Sequence, residues 1–202
     1  MTGNSEPKIA GLLLAAGGSS RLGRPKQLVE FKGKTLIRRA AEALIGAGCS
    51  PVFVVLGAEV ERSRLEFEGL RIHFVVNDSW LFGMGSSIAC GMGSILSTKP
   101  NPDAVLISLC DHPFVTAESL RPFLATFRES RPDLVAASYN GNTGVPALFS
   151  ARNFGTLAAL DGEKGAREIV RNSPNVLTIP LTEAAIDIDV PEDLLRIPSF
   201  GS

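Results

Sequence analysis

The chain has 202 residues, of which 45% are hydrophobic and 20% are charged, and its formal net charge is −1. These proportions match a globular protein with a full apolar core. They exclude a disordered chain, a collagen-like repeat and a disulfide-stapled miniprotein. A near-neutral total charge gives no reason to expect nucleic acid or a membrane surface as a partner. The length predicts one domain over residues 1–202, with residues 1–7 flexible and residues 198–202 forming a tail.

Three cysteines, Cys49, Cys90 and Cys110, lie far apart in the sequence and form no CxxC pair. Only two histidines accompany them, so we do not expect a Cys/His zinc site. Unpaired thiols are typical of a reducing compartment, which predicts a cytoplasmic protein. The apolar run after Lys8 resembles a short signal peptide, but a buried first strand fits it better because residues 1–7 carry no basic residue.

Short apolar runs alternate with amphipathic segments along most of the chain. Five runs predict buried strands: Ile9–Ala16, Val52–Leu56, Ile72–Val76, Ala104–Leu109 and Leu134–Ala137. Three segments with helical spacing lie between them: Thr35–Ala47, Ser86–Leu96 and Ala117–Glu129. The last third predicts smaller elements, namely a short helix at Gly165–Asn172 and strands at Val145–Phe149, Val176–Ile179 and Ile186–Ile188. This alternation predicts an α/β fold with a Rossmann-like, doubly wound, mostly parallel sheet.

The segment after the first strand has the composition of an anion-binding loop. Glycines and serines in Ala15–Ser20 let backbone N–H groups approach an anion, and Arg21 and Lys26 follow them. Residues 17–39 contain seven basic residues and one acidic residue, a local charge of +6. The sequence therefore predicts a polyphosphate ligand beyond the carboxyl end of the strand. A solvated turn with surface basic residues is the alternative.

Three familiar motifs fail on spacing. A Walker A loop requires Lys and then Ser or Thr after its second glycine, but Gly23 is followed by Arg24 and Pro25. Gly83-Met84-Gly85 lacks the third glycine of a dinucleotide-binding fingerprint. The sequence also lacks a G-x-S-x-G elbow, which argues against an α/β-hydrolase.

Two aspartates are candidates for a magnesium site. Asp111 follows the fourth predicted strand, and Mg²⁺ favours one or two carboxylates together with phosphate oxygens. An aspartate that starts a turn before Pro113 is the alternative. Asp189 is the second candidate, although Asp189-x-x-Glu192 also has the pattern of a capping box that opens a helix. His112 is better interpreted as a turn-capping or partly buried histidine than as a catalytic base.

These residues together resemble the MobA-like nucleotidyltransferases, and within them the molybdenum cofactor cytidylyltransferase branch. Leu14–Gly23 with Lys26 resembles the signature L-A-A-G-x-S-x-R-x-G-x-x-K, and Asn77–Ser87 is similar to N-x-x-W-x-x-G-M-G-x-S. Cys110–Pro113 resembles the C-D-x-P metal motif. Gly144-Val145-Pro146 resembles the G-x-P loop, and Ile188–Asp193 resembles the closing I-D-T-P-E-D. The resemblance covers nearly the whole chain.

The resemblance implies a nucleotide-diphospho-sugar transferase-like fold and transfer of CMP from CTP to a phosphorylated pterin, with Mg²⁺ or Mn²⁺. It implies catalytic roles for Arg21, Lys26 and Asp111, and metal ligation by Asp111 and Asp189. It places the acceptor at Gly144, Pro146 and Arg167, with a molybdoenzyme of the xanthine dehydrogenase type as a further partner. The implied nucleotide-binding residues are Leu14, Ala15, Ala16, Gly17, Gly18, Ser19, Ser20, Arg21, Lys26, Asn77, Gly83, Gly85, Ser86 and Ser87.

Departures from the family pattern fall on the acceptor side and in a capping region. Glu163 stands where the branch usually has Asp, Val190 replaces the usual Thr, and His112 occupies a variable position. Two alternatives therefore stay open: another base or phosphorylated acceptor with the same chemistry, or a protein that delivers finished cofactor to a molybdoenzyme. Trp80 and Phe82 are expected in the core, with an acceptor pocket as the alternative.

Overall fold

The computed structural model describes residues 6–19 and 22–196, and predictions for the remaining residues lie outside these ranges. The strands are β1 (Ile9–Ala15), β2 (Glu30–Phe31), β3 (Lys34–Thr35), β4 (Val52–Leu56), β5 (His73–Val76), β6 (Ala104–Leu109), β7 (Leu134–Tyr139), β8 (Asn142–Ser150) and β9 (Leu177–Pro180). The helices are α1 (Leu36–Ala47), α2 (Val60–Leu65), α3 (Met84–Ser97), α4 (Ala117–Ser130), α5 (Phe154–Ala158) and α6 (Ala166–Asn172). Short 3₁₀ turns include Lys26–Leu28, Trp80–Phe82, Thr182–Ala185 and Pro191–Arg196.

A seven-stranded sheet with the order β5-β4-β1-β6-β8-β7-β9 forms the centre of the molecule. Strand β1 pairs in parallel with both β4 and β6, whereas β8 runs antiparallel to β6 and β7. The pairing of Leu14 with Leu109 brings the carboxyl ends of β1 and β6 to the same sheet edge. The predicted α/β fold with a mostly parallel sheet is confirmed.

Alternate residues of the strands pack on opposite faces of the sheet. On one face, Leu13 of β1 packs in a cluster with Leu44 of α1 and Phe123 of α4. On the other face, Leu12 and its neighbours join Ile88 and Met92 of α3. The amphipathic pattern of these helices is thus explained by burial against a two-sided sheet.

The predicted α1 is confirmed, and Gly48 ends it in the left-handed conformation with φ of 103°. A glycine favours this position because it lacks the Cβ that would be strained there. Thr35 occupies the N-cap, but its hydroxyl donates to Glu66 Oε2 at 2.7 Å and does not cap the helix backbone.

The predicted strand at Ile186–Ile188 is wrong. This segment is irregular and lies between two 3₁₀ turns, without a partner strand among the described residues. Ile188 is fully buried with Leu22, Phe31 and Leu36, and its N–H donates to the carbonyl of Asp111 at 3.1 Å. Burial of one isoleucine under the β2–β3 hairpin therefore produced the apolar pattern that resembled a strand.

The cysteines are free thiols. Burial raises the pKa of both Cys49 and Cys110 to about 12. At neutral pH these two side chains are therefore protonated, and they behave as small apolar core residues. Within the described ranges, no helix combines the length and apolar character needed to span a bilayer.

Candidate active site

The carboxyl ends of β1 and β6 form the floor of the site. Leu14–Gly17 leaves β1 beside Leu109–Asp111, which leaves β6, because the two strands pair in parallel up to Leu14 and Leu109. A side chain that follows either strand is thereby directed to one sheet edge, where ligands bind in open α/β sheets.

Lys26 lies between the two predicted metal ligands. Its Nζ donates to Asp111 Oδ2 and, at 2.9 Å, to Asp189 Oδ1. The backbone N–H of Lys26 donates to Ser19 Oγ at 2.9 Å, which ties the 3₁₀ turn to the glycine-rich loop. The structure thus brings together three of the predicted residues. In the sequence, Asp111 lies 85 positions after Lys26 and Asp189 lies 163 positions after it.

The environment keeps the ammonium of Lys26 charged. Burial lowers the pKa of this side chain, but the Asp111 carboxylate and the hydrogen bonds to Asp111 and Asp189 outweigh burial and raise the pKa overall. An opposite charge at hydrogen-bond distance favours the charged form more strongly than partial burial disfavours it.

Backbone contacts fix the position of Asp189. The Asp193 carboxylate accepts the backbone N–H groups of Asp189 and Val190, both at 3.0 Å. Asp193, and not Glu192, therefore makes the backbone contact that the capping-box interpretation assigned to Glu192.

The two carboxylates fit a divalent cation that also binds substrate phosphates. Asp111 Oδ1 is buried and has no hydrogen-bond partner among the described residues, so the carboxylate has an unused acceptor beside the ammonium of Lys26. No cluster of three or more His, Cys, Asp or Glu side chains suited to a metal occurs within the described ranges. Mg²⁺ is commonly held by only one or two carboxylates, with waters and phosphates completing its shell.

A cavity of about 290 Å³ opens beside Lys26 and Asp111. Its wall includes five of the predicted nucleotide-binding residues from the first loop and turn, namely Leu14, Ala15, Ala16, Gly17 and Lys26. Gly17 faces open space, whereas a Cβ on Gly18 would lie 2.8 Å from the Trp80 ring. Gly18 and Ser19 therefore support the loop and do not line the cavity. Ser20 and Arg21 lie outside the described residues.

The Asn77–Ser87 segment forms the opposite wall, but only part of it lines the cavity. Gly83 and Ser87 do so, together with Trp80 and Met84. Asn77 is buried and donates through Nδ2 to the hydroxyls of Ser86 and Ser87, both at 3.0 Å. Asn77, Gly85 and Ser86 thus hold the segment in place and do not face the cavity.

Trp80 and Phe82 have different environments. Trp80 packs against the core and against Gly57, and it also lines the cavity, so both interpretations from the sequence hold in part. Phe82 is 70% exposed, which contradicts its predicted place in the core.

A second cavity, of about 430 Å³, shares Met84 and Leu109 with the first. Gly144 and Arg167, two of the predicted acceptor residues, line it, whereas Pro146 does not. Four other polar side chains line it as well: His112, Tyr139, Glu163 and Asp187. The sequence analysis noted Glu163 and His112 as departures on the acceptor side or in a capping region, but it did not identify Tyr139 and Asp187. These four come from separate loops and strands, so no short motif could have joined them.

His112 is 7% exposed, and its Nδ1 is buried without a partner among the described residues. Burial lowers the pKa of this imidazole, and the attraction of Asp111 and Asp187 does not offset the effect. The expectation of a buried histidine is confirmed. Its place on the wall of the second cavity was not expected.

Gln27 is a further residue that the sequence analysis missed. It is 1% exposed and lines the first cavity, and its Oε1 accepts the Ser19 hydroxyl at 3.4 Å. Its Nε2 is buried without a partner in the described part of the chain. A buried donor without a partner at a cavity wall is a candidate for a ligand contact. Only its position next to Lys26 could have indicated this role.

Three of the seven basic residues at positions 17–39 make contacts that serve the fold. Lys34 pairs with Glu42 at 2.7 Å, Arg38 donates to Glu42 and to the Glu66 carbonyl, and Arg39 stacks on Phe31. Among the described basic residues of the run, Lys26 alone lines the first cavity. The local charge of +6 therefore overstates the cationic character of the site.

A parallel sheet edge that joins a glycine-rich loop, a charged lysine and two carboxylates beside a cavity is the arrangement expected of a nucleotidyltransferase. Comparison with known proteins defines the class more closely. The chain belongs to the MobA-like NTP transferase domain family, whose sequence profile matches residues 11–176, and it is a nucleotidyltransferase.

Several relatives match nearly end to end. The chain is 32% identical to nicotine blue oxidoreductase of Paenarthrobacter nicotinovorans, over 95% of this chain and 97% of that protein. It is 27% identical to purine catabolism protein PucB of Bacillus subtilis (strain 168), over 93% and 94% of the two chains. The crystal structure of Rv0371c from Mycobacterium tuberculosis H37Rv aligns with a TM-score of 0.81 at 25% identity and covers 95% and 98% of the two chains. The manganese complex of that protein aligns with a TM-score of 0.76 at 24% identity, over 94% and 97% of the two chains.

Proposed function

We propose that the protein transfers CMP from CTP to the phosphate of molybdopterin or of its molybdenum-loaded form, and releases pyrophosphate. The observation that carries this proposal is the placement of Lys26 between Asp111 and Asp189 where two cavities adjoin. One cavity would take the nucleotide and the other the acceptor, with the reacting phosphates between them.

The first cavity supplies contacts for the nucleotide. The backbone of Ala15–Gly17 approaches the triphosphate without obstruction, because Gly17 carries no Cβ and faces open space. We assign Lys26 to the phosphates, and Gly83 and Ser87 to the base or ribose. The assignments of Ser20 and Arg21 to the triphosphate remain proposals from the sequence.

Asp111 and Asp189 would hold Mg²⁺, or Mn²⁺ in its place. The unused acceptor on Asp111 Oδ1 and the convergence of both carboxylates on one cation support this assignment. A bound divalent cation supplies charge neutralisation at the transferred phosphoryl group. The related fold that binds manganese adds support from outside this chain.

The reaction requires alignment and charge neutralisation more than a base. An oxygen of the acceptor phosphate bonds to the α-phosphorus of CTP, and the bond from that phosphorus to the bridging oxygen breaks, so pyrophosphate leaves with the electron pair. The acceptor phosphate is already ionised at neutral pH, so no side chain has to remove a proton. The ammonium of Lys26 offsets the repulsion between the approaching phosphates.

The choice of CTP rests on the resemblance of the Asn77–Ser87 segment to the cytidylyltransferase branch. We assign Gly144 and Arg167 to the acceptor because they line the second cavity. Pro146 lies behind that wall, so we retain it only as a residue that shapes the loop.

We further propose a cytoplasmic location and delivery of the product to a molybdoenzyme of the xanthine dehydrogenase type. The free thiols fit a reducing compartment. The molybdoenzyme follows from the proposed product, since a dinucleotide form of the cofactor must be inserted into an enzyme that uses it.

The test is the rate of pyrophosphate release for CTP, GTP, ATP and UTP with Mg²⁺, with molybdopterin present and absent. We expect release only when both CTP and molybdopterin are present. Release with GTP, or with an isoprenoid or sugar phosphate in place of molybdopterin, would contradict the proposed substrates but would support nucleotidyl transfer as the reaction. Pyrophosphate release from no combination would reject the proposed function.

A second candidate function is oxidation–reduction, because a relative with 32% identity is named an oxidoreductase. The paired carboxylates on Lys26 favour phosphoryl transfer, since they put charge where phosphates and a divalent cation bind. Oxidation of NADH or NADPH by the purified protein, in a mixture that yields no pyrophosphate, would favour the second candidate.

A further inference from the structure

His112 lies at the turn that leads from the end of β6 toward α4. It directly follows Asp111, and its carbonyl accepts the N–H of Val115 at 3.3 Å, which closes the turn. The turn holds the imidazole on the wall of the second cavity, which Leu109, Arg167 and Asp187 also line. The side chain is thus positioned by backbone contacts and not by a polar partner of its own.

The imidazole makes no hydrogen bond to any residue in the described part of the chain, and its Nδ1 is fully buried. A neutral imidazole carries its hydrogen on one nitrogen and a lone pair on the other. Buried N–H groups without partners are rarer in proteins than buried acceptors without partners. The favoured tautomer therefore leaves the lone pair on Nδ1 and puts the hydrogen on Nε2.

Unlike Nδ1, Nε2 is not a buried atom without a partner. Because His112 lines the second cavity, the favoured tautomer gives this cavity an accessible N–H donor. Two carboxylates, Glu163 and Asp187, also line this cavity, and Arg167 is its cationic group. An oxygen-rich, negatively charged group near Asp111 would need donors on the acceptor side, and His112 is the wall residue next to Asp111 in the chain.

We propose that His112 binds the acceptor by donating its Nε2–H to an oxygen of the acceptor phosphate. The proposal rests on the nucleotidyl transfer proposed above, in which a phosphorylated acceptor enters this cavity. It adds a donor for the acceptor phosphate and gives a role to the residue at the variable position of the C-D-x-P motif.

Three substitutions separate this role from a structural one. His112→Leu removes the donor, His112→Gln keeps an amide N–H near the position of Nε2, and His112→Asn moves it to the position of Nδ1. His73→Leu is the matched control, because His73 is the other histidine of the chain and stacks on Phe53 of β4, away from both cavities.

Two quantities are measured for each variant: binding of molybdopterin by titration calorimetry without CTP, and the KM values of both substrates from pyrophosphate release. We expect His112→Leu to weaken molybdopterin binding and raise its KM about tenfold, the effect of one lost hydrogen bond. His112→Gln should restore both values to within about threefold of the wild type. The KM of CTP and the melting temperature should stay at the values of the His73→Leu control.

Equal molybdopterin binding by the wild type and His112→Leu would overturn the proposal. So would a rise in both KM values together with a lower melting temperature, or restoration by His112→Asn in place of His112→Gln. Binding without pyrophosphate release in the wild type would reject the proposed function, and the calorimetric comparison would then decide the role of His112 by itself.

Discussion

At the scale of single residues, Lys26 determines the electrostatics of the site. Its ammonium holds two carboxylates together that would otherwise repel each other. The three side chains are 12–30% exposed, so solvent weakens the interaction without removing it. Lys26 would therefore both stabilise the free protein and contact the nucleotide.

Replacing Lys26 with Met should lower the free energy of unfolding by about 1–2 kcal/mol, less than the loss of a fully buried ion pair would cost. The uncompensated carboxylates should then bind Mg²⁺ more tightly than the wild type does. Thermal unfolding with and without Mg²⁺ measures both effects, and Lys34→Met is the control because Lys34 pairs with Glu42 on the surface. Equal Mg²⁺-induced shifts in the wild type and Lys26→Met would contradict this account.

The charged residues of the site could be identified from the sequence, whereas the places of Gln27 and His112 on the cavity walls could not. Lys26, Asp111 and Asp189 follow strands or stand in a motif, so their position at the sheet edge could be predicted. Gln27 and His112 acquire their importance from burial without a partner, and burial depends on how distant segments pack.

At the scale of elements, the start of α3 links the two cavities. A Cβ on Gly85 would lie 2.5 Å from the carbonyl of Asp161 and 2.6 Å from that of Lys164. The N–H of Gly85 also donates to the carbonyl of Gly162 at 3.0 Å. The absence of a side chain at this position therefore lets α3 pack against the 161–165 loop, while its neighbour Met84 lines both cavities.

Gly85→Ala should lower the free energy of unfolding by about 1–3 kcal/mol, because the new methyl group meets backbone atoms that cannot move independently. The KM of the nucleotide should rise as the segment shifts. Gly93→Ala is a matched control in the same helix: it has open space around it and should raise stability by about 0.5–1 kcal/mol. Urea unfolding of both variants measures the contrast, and equal effects would show that the packing argument is wrong.

Most elements could be predicted from the sequence, including the short β9 and α6, but β2, β3 and α2 could not. The parallel strands and α1, α3 and α4 have full hydrophobic periods, so their existence and type followed from the pattern. The two-residue strands β2 and β3 and the six-residue α2 are too short to show a period. Their conformation depends on contacts such as the burial of Phe31 with Leu22 and Leu36.

At the scale of the whole molecule, the near-neutral total charge does not show that the basic residues divide between the fold and the candidate site. Ion pairs and an aromatic contact involve Lys34, Arg38 and Arg39 of the 17–39 run, whereas Lys26 serves the site. The core is equally two-sided, since separate apolar clusters cover the two faces of the sheet.

The pH dependence of global stability tests the burial of Cys49 in this core. Burial raises the pKa of Cys49 from 9.0 to about 12, so the folded chain keeps a proton between these values that the unfolded chain loses. Stability that depends on this thiol should therefore be present below pH 9 and should fall as the pH rises toward 12. In Cys49→Ala this contribution is absent. The difference in unfolding free energy between wild type and variant should therefore shrink across the window. A constant difference would contradict the burial of this thiol.

The central claim is that the nucleoside monophosphate moves to an acceptor phosphate at Asp111. The most direct test follows CTP labelled at the α-phosphate in a reaction with molybdopterin and Mg²⁺, for the wild type and for Asp111→Asn. Losing one preorganised electrostatic contact in a water-excluded site lowers turnover about a hundredfold or more. We predict that the wild type transfers the label to molybdopterin in step with pyrophosphate release. Asp111→Asn should lose about that factor, while its free energy of unfolding should fall by no more than the roughly 1–2 kcal/mol expected for Lys26→Met, because both changes break the same ion pair. Label that appears as free CMP, or equal transfer by Asp111→Asn, would contradict the account.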